Sequence, residues 1–259
     1  MGAIKLVEVT RGDMVESIHR GVVVVVDIEG TVVASLGDPD YQTFMRSAAK
    51  PIQALPVVES GTANYFKFSE KELAIITASH SGEAEHQEAV MGILDKIGLN
   101  QGNLLCGITN PLHKPTASKL ALENRKPEPV HCPCSGKHGG MLALAVYKLL
   151  SLHDYYLLDH PVQQIMLETM ADLAEIPKKV IKIGIDGCGV PVFGMSVKAM
   201  AQAYANFVRP LKFNGDRQEA CRILNRVMIK YPHLMAGSGR FTTILLEQMK
   251  SKIVAKDGT

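Results

Sequence analysis

The chain has 259 residues, of which 46% are hydrophobic and 21% are charged, a composition that can bury a core and excludes a disordered chain. Its formal net charge is +2, and it contains 5% aromatic residues and no Trp, so we expect no nucleic-acid partner. Apolar runs are too short to cross a bilayer, and Lys5 and Glu8 interrupt any signal-peptide core, so we expect no membrane partner and a cytoplasmic location.

The first part of the chain predicts strands. Residues 6–10 and 21–28 are rich in β-branched side chains, and residues 31–36 follow Glu29-Gly30, a pair that favours a tight hairpin turn. The hydrophobic period then changes, and residues 48–59 predict a helix in which Pro56 is a kink or a stop.

The middle of the chain predicts mostly helices. Ser69 and Glu72 have the spacing of a capping box. Helical periodicity or end signals predict helices over residues 73–77, 85–97, 116–124, 139–150 and 161–173. The last part predicts a strand over 180–185, helices over 197–206, 217–230 and 242–250, and a final strand over 252–256.

Strands at both ends of the chain with helices between them favour an α+β fold over alternating βαβ units. We expect the final strand to pair with the N-terminal hairpin, so that both chain ends build one antiparallel sheet. The chain is predicted to be a single domain over 1–259. Its sheet part would comprise 1–60 and 180–259, and its helical part 61–179.

Two short motifs carry hydroxyls that chemistry could use. Ser47 and Lys50 are three residues apart, a spacing at which a lysine amine can reach a serine hydroxyl on a helix. The alternative is a helix-capping serine beside a solvated lysine. The second motif, residues 78–83, contains Ser79 and His80 and would suit substrate binding or proton relay, or would be only a helix cap with its loop.

Five cysteines in a chain of this size do not predict a disulfide framework. Cys106 and Cys221 are interpreted as buried thiols, whereas Cys134 and Cys188 lie in polar, Gly-rich surroundings. Spacing alone favours a zinc site made by Cys134, His138 and Cys188 with water in an open position. The alternative is a reduced loop thiol near a Gly-rich turn.

Together these motifs resemble the rhizobial-type, or class 3, L-asparaginases (asparaginase II). The resemblance is carried by residues 15–21, 46–53, 78–83, 134–138 and 184–191. It implies a fold like that of serine β-lactamases and penicillin-binding proteins, and hydrolysis of the side-chain amide of L-asparagine to L-aspartate and ammonia. It also implies a homodimer.

The resemblance assigns roles to individual residues. Ser47 would be the nucleophile with Lys50 as its base, and Ser79 a second active-site hydroxyl paired with Lys256. The residues implied for substrate binding are Arg46, His80 and Asp186. Zn²⁺ would be held by Cys134, Lys137 and Cys188. This set replaces His138, chosen from spacing, with Lys137, and His138 then supports the site from behind the ligands.

The sequence departs from the family pattern at two places. Cys132-Pro133 stands where the family usually has Asn residues. The family also continues past the position of Lys256 with further strands and a helix, so the chain is expected to lack a C-terminal part and to be less stable and less active. Two alternative functions stay open: a β-lactam or peptide hydrolase of the same fold, and a catalytically weak zinc-binding protein.

Overall fold

The computed structural model describes residues 2–213 and 215–258. Helices and small antiparallel sheets make an α+β fold, as the order of the predicted elements indicates. The strands are β1 (Ile4–Arg11), β2 (Met14–Gly21), β3 (Val23–Val26), β4 (Val32–Leu36), β5 (Gln42–Phe44), β6 (Lys182–Ile185) and β7 (Pro191–Ser196). In this part of the chain they form three sheets, with the strand orders β1-β2, β3-β4 and β5-β7-β6.

Helices make up most of the rest. They are α1 (Lys50–Gln53), α2 (Leu55–Glu59), α3 (Thr62–Tyr65), α4 (Glu70–Thr77), α5 (Ala84–Lys96), α6 (Lys114–Leu122), α7 (Ser135–Tyr147), α8 (Pro161–Ala174), α9 (Val197–Val208), α10 (Gly215–Lys230), α11 (Pro232–Ala236) and α12 (Phe241–Met249). Short 3₁₀ helices lie at Arg46–Ala49, Gln101–Asn103, Pro129–His131 and Lys178–Val180. The described helices have no stretch that is both long and apolar enough to cross a membrane.

Several local predictions are confirmed. The hairpin turn at Glu29-Gly30 joins β3 to β4, with Gly30 at a φ of 89°, a left-handed backbone that glycine adopts without strain. Ser69 and Glu72 form the predicted capping box at the start of α4. The helix predicted over 48–59 breaks at Ala54, because a new helix, α2, begins there with proline in its first turn.

The prediction that the final segment forms a strand and pairs with the N-terminal hairpin is wrong. Residues 252–256, which the structure describes, form no strand. The final segment is not part of the β5-β7-β6 sheet, in which strands from the early and late parts of the sequence pair. It instead packs the apolar side chains of residues 253–255 against the core. The Ser47 backbone N–H donates to the Gly258 carbonyl at 3.2 Å.

The predicted division into a sheet part and a helical part stays a prediction. Helices α9 to α12 occupy the sequence from Val197 to Met249, inside the segment assigned to the sheet part. No predicted element corresponds to β7, because the Gly-rich motif before it predicts only a loop.

The close contact between α7 and α4 positions the site. Every residue of α7 from Ser135 to Ala145 is buried. A Cβ on Gly136 would lie 2.1 Å from the Ile75 carbonyl oxygen, and one on Gly140 would lie 2.7 Å from the Ile76 side chain. Glycines four residues apart on one helix face therefore let the two backbones approach. The residues that end α4 and those that begin α7 are brought side by side.

Candidate active site

A cavity of about 260 Å³ lies where these segments meet. Its walls come from the 3₁₀ helix before α1, the loop after α4, the loop before α7 and the turn between β6 and β7. The lining residues are Arg46, Ser47, Ser79, Cys106, Thr109, Leu112, Cys132, Pro133, Cys134, Asp186, Gly187 and Cys188. The structure thus gathers four sequence motifs around one space.

Lys50 is buried at the start of α1, and its amine donates three hydrogen bonds. Nζ donates to the Ala78 carbonyl at 2.9 Å, to Ser79 Oγ at 2.9 Å and to the Pro133 carbonyl at 3.0 Å. Three acceptors match the three donors of an ammonium group. The structure therefore pairs Lys50 with Ser79 rather than with Ser47, its partner in the Ser-x-x-Lys motif.

Lys256 approaches the same hydroxyl from the other side. Its Nζ lies 2.7 Å from Ser79 Oγ and also contacts the Asp257 carbonyl at 2.8 Å and Asp257 Oδ1 at 2.6 Å. Burial, followed by the nearby positive charge of Lys50, lowers the pKa of Lys256 to about 7. The predicted pair of Ser79 and Lys256 is brought together. Ser79 Oγ lies between two amines, of which one can be neutral near pH 7.

Ser47 lies half-buried on the cavity wall. The residue before it, Arg46, has a φ of 49°, a left-handed conformation that is uncommon for a residue with a side chain and clusters at functional sites. Arg46 Nε is 3.8 Å from Asp186 Oδ1. A cation and a carboxylate, both lining the cavity, therefore stand beside the hydroxyl of Ser47.

A second group of side chains shares the cavity. The sulfurs of Cys134 and Cys188 and a carboxylate oxygen of Asp186 lie within 4.8 Å of one another. Lys137 Nζ is 3.2 Å from Cys188 Sγ. Two thiols, an amine and a carboxylate match the ligand number and types of a tetrahedral zinc site. This donor set fits the ion that the sequence predicts.

The electrostatics of the group favour a cation. Hydrogen bonds from Cys132 and Cys188 hold the pKa of Cys134 well below its usual range. Burial lowers the pKa of Lys137, but the facing sulfurs of Cys134 and Cys188 outweigh it, and the pKa lies above its ordinary value. Lys137 would have to lose its proton to bind a metal, so metal binding there must release a proton.

The two histidines predicted near the site are held within the protein. His80 Nδ1 accepts from the Gly82 backbone N–H at 3.2 Å, and Nε2 shares a hydrogen bond of 2.8 Å with Ser135 Oγ. With both nitrogens used, a substrate contact through His80 is not supported. Burial lowers the pKa of His80 well below its ordinary value.

His138 is buried in α7 beside Lys137, and its supporting role stays a prediction. Its Nδ1 is 2.7 Å from the Tyr155 hydroxyl, which also accepts from the Leu105 backbone N–H at 2.8 Å. Burial, then the charge of Lys137, lowers the pKa of His138 to about 3. It is Lys137, not His138, whose side chain contacts Cys188.

Sequence reasoning missed several groups at the site. The carbonyls of Ala78 and Pro133 hold Lys50, and backbone acceptors have no sequence signature. Asp257 contacts Lys256, and its position directly after that lysine is the signal that could have indicated it. Thr109 and Leu112 line the cavity from a loop with no motif.

A family model described as L-asparaginase II matches residues 7–259, and the chain belongs to this family. A search of curated proteins finds no match to the chain.

Proposed function

From membership of the L-asparaginase II family, we propose that this protein hydrolyses the side-chain amide of L-asparagine to L-aspartate and ammonia by a serine–lysine mechanism. The observation that carries the proposal is the hydroxyl of Ser79 between the amines of Lys50 and Lys256, 2.9 Å and 2.7 Å away. Ser79 lines a cavity that Ser47 also lines.

Ser47 is the proposed nucleophile because it is the more accessible of the two serines: Ser79 is 4% exposed, whereas Ser47 is half-buried on the cavity wall. The attack forms an aspartyl ester on Ser47 and expels ammonia, and water then hydrolyses the ester.

The base for this attack needs a free lone pair, which a charged Lys50 does not have. The contacts among Lys50, Ser79 and Lys256 provide a route for proton transfer. A neutral Lys256 amine takes the Ser79 proton, and Ser79 takes a proton from Lys50, so Lys50 becomes the neutral base that serves Ser47. Two hydrogen bonds, from Lys50 and from Lys256 to Ser79 Oγ, connect the two proton transfers that pass through Ser79.

Substrate recognition follows from charge. L-asparagine carries one carboxylate and one ammonium group beside the amide. The Arg46 guanidinium suits the carboxylate and the Asp186 carboxylate suits the ammonium, and the two side chains are 3.8 Å apart in the structure. A substrate that pairs with both would lie across the cavity wall next to Ser47.

Zinc would be held by Cys134, Lys137 and Cys188, with Asp186 beside them. When bound, the ion supplies positive charge that fixes the polar groups of the substrate, and two thiolates weaken it as a Lewis acid. The side chains that move protons, Lys50, Ser79 and Lys256, all lie outside this set.

The fold and assembly are proposed in the same way. A β-lactamase-like fold is supported by the sequence order Ser47, Lys50, Ser79, Lys256 and by the proximity of these residues to one cavity. A homodimer is supported by the ribbon β1-β2, whose apolar side chains Val7, Met14 and Ile18 are exposed, since a lone two-stranded ribbon is only marginally stable in water. The proposed location is the cytoplasm. Light scattering on the purified protein measures the assembly directly.

The function is tested by ammonia release. The wild-type protein, loaded with zinc, is assayed with L-asparagine and L-glutamine, and with a chromogenic cephalosporin for the alternative of a β-lactam hydrolase. Ammonia from asparagine that is lost in Ser47→Ala supports the proposal. Cephalosporin turnover without ammonia release would favour the alternative, and bound zinc without any turnover would favour a zinc-binding protein.

A further inference from the structure

Cys132 has no role in the chemistry described so far. Its thiol donates to the Cys106 carbonyl at 3.4 Å and lies within hydrogen-bonding reach of the sulfurs of Cys106 and Cys134. Cys132 and Cys106 are buried, Cys134 is partly exposed, and the three sulfurs are unpaired thiols on the cavity wall. A row of thiols therefore runs from Cys106 through Cys132 to the proposed metal ligand Cys134.

Geometry separates Cys132 from the donor set itself. Among the described residues, the compact group in which every ligand atom lies within 4.8 Å of the others contains Cys134, Asp186 and Cys188 but not Cys132. Cys132 thus adjoins one ligand without joining the set, which is the position of a competing thiol rather than of a further ligand.

We propose that Cys132 is a resolving thiol, which forms a disulfide with Cys134 when a hydroperoxide oxidises the metal-free protein. The Cys134 sulfur attacks the peroxide, the O–O bond breaks, and Cys134 becomes a sulfenic acid while hydroxide or alkoxide leaves. The Cys132 sulfur then attacks the Cys134 sulfur, an S–S bond forms, and water leaves. Two thiols lose two electrons, which reduce one peroxide.

Exposure decides which thiol reacts first. Cys134 is the partly exposed member of the row, so a small oxidant in the cavity reaches it. Cys106 is buried, and its thiol faces the carbonyl oxygens of Gly107 and Pro129 at 3.7 Å and 3.6 Å. Cys132 is only two residues from Cys134 and already touches it, so it meets the sulfenic acid before an external thiol can.

Oxidation and metal binding then exclude each other, a consequence that rests on the proposed metal site. A sulfur bound in the Cys132–Cys134 disulfide cannot also serve as a thiolate ligand. Between these cysteines lies Pro133, whose carbonyl accepts from Lys50 at 3.0 Å. The disulfide would therefore form around the residue that helps to hold Lys50.

The test uses the metal-free wild-type protein with hydrogen peroxide, followed by peptide mass spectrometry and Zn²⁺ uptake. We expect the peptide that contains Cys132 and Cys134 to lose two hydrogens, and two of the five free thiols to disappear. Zn²⁺ uptake is lost, and a reductant restores both. Cys221→Ser, which changes a buried thiol in α10, behaves like the wild type in all of these readouts.

Cys132→Ser provides the decisive variant. Without a resolving thiol, Cys134 stays a sulfenic acid that a 1,3-diketone probe labels, whereas the wild type is labelled little. Equal labelling in both proteins overturns the proposal, and so does a cross-link of Cys132 to Cys106 or of Cys134 to Cys188, whose sulfur also lies near that of Cys134. If the wild type forms the Cys132–Cys134 disulfide but binds no Zn²⁺ beforehand, the disulfide proposal is supported and the metal proposal fails.

Discussion

Lys256 Nζ lies 2.7 Å from Ser79 Oγ, and this contact makes the pair sensitive to pH. Burial and the neighbouring charge of Lys50 lower the pKa of Lys256 to about 7. A lysine with such a pKa holds its amine partly neutral at the pH of most cells, which is the condition a general base needs.

The first prediction is that kcat/KM rises with pH and levels off above about 7. Below that pH, Lys256 is protonated and cannot accept the Ser79 proton; above it, the amine is free. Lys256→Arg keeps a positive charge that does not titrate, so we expect kcat to fall by about 10²- to 10⁴-fold. A wild-type activity that is flat between pH 5 and 9 would contradict the role of Lys256.

The second prediction concerns Asp257. Its carboxylate contacts Lys256 Nζ at 2.6 Å and raises the pKa of that lysine against the effect of burial. Asp257→Asn removes the negative charge, so the pKa of Lys256 falls further. We expect the acid limb of the kcat/KM profile to move to lower pH. An unchanged limb, or a move to higher pH, would show that another group sets it.

The third prediction separates two neighbouring residues at the metal site. Lys137 contacts Cys188, whereas His138 contacts the Tyr155 hydroxyl. Lys137→Met is expected to weaken zinc binding by more than about tenfold, since even a partner that only supports a ligand reaches that scale. His138→Gln should change it less. Competition with a chromophoric chelator measures both, and the reverse order would restore His138 as the ligand.

The fourth prediction tests the contact between α7 and α4. Gly136→Ala places a Cβ 2.1 Å from the Ile75 carbonyl, and such overpacking lowers the free energy of unfolding by about 1–3 kcal/mol or more. In Gly187→Ala the new Cβ meets no atom within 4 Å, so stability should hold. Urea titration of both variants decides the matter. A Gly136→Ala protein as stable as the wild type would mean that the helices are not held at this distance.

Local signals in the sequence predicted local structure. The Ser69 and Glu72 capping box, the turn at Glu29-Gly30 and the break near Pro56 each depend on residues a few positions apart, and short-range sterics and hydrogen bonds decide them. Local signals could not predict the structure of the final segment. Whether residues 252–256 become a strand depends on tertiary contacts, and residues 253–255 instead pack apolar side chains against the core.

Prediction of the site from local sequence has the same limit. Ser-x-x-Lys spacing indicated that Lys50 has a nearby hydroxyl, but the hydroxyl in contact is that of Ser79, 29 residues further along the chain. The loop of Ser79 lies beside Lys50 because α4, the helix before that loop, packs against α1, a tertiary effect that spacing does not contain. The resemblance to a family, rather than periodicity, indicated that Lys256 pairs with Ser79.

The most direct test of the account is to identify which serine carries the aspartyl group during turnover. The wild-type protein is mixed with L-asparagine, quenched in acid within the steady state, digested and mapped by mass spectrometry, with Ser79→Ala and Ser47→Ala as matched variants. The account predicts an ester on the peptide that contains Ser47, in the wild type and not in Ser47→Ala. An ester on Ser79 in the wild type, or one that persists in Ser47→Ala, would contradict it.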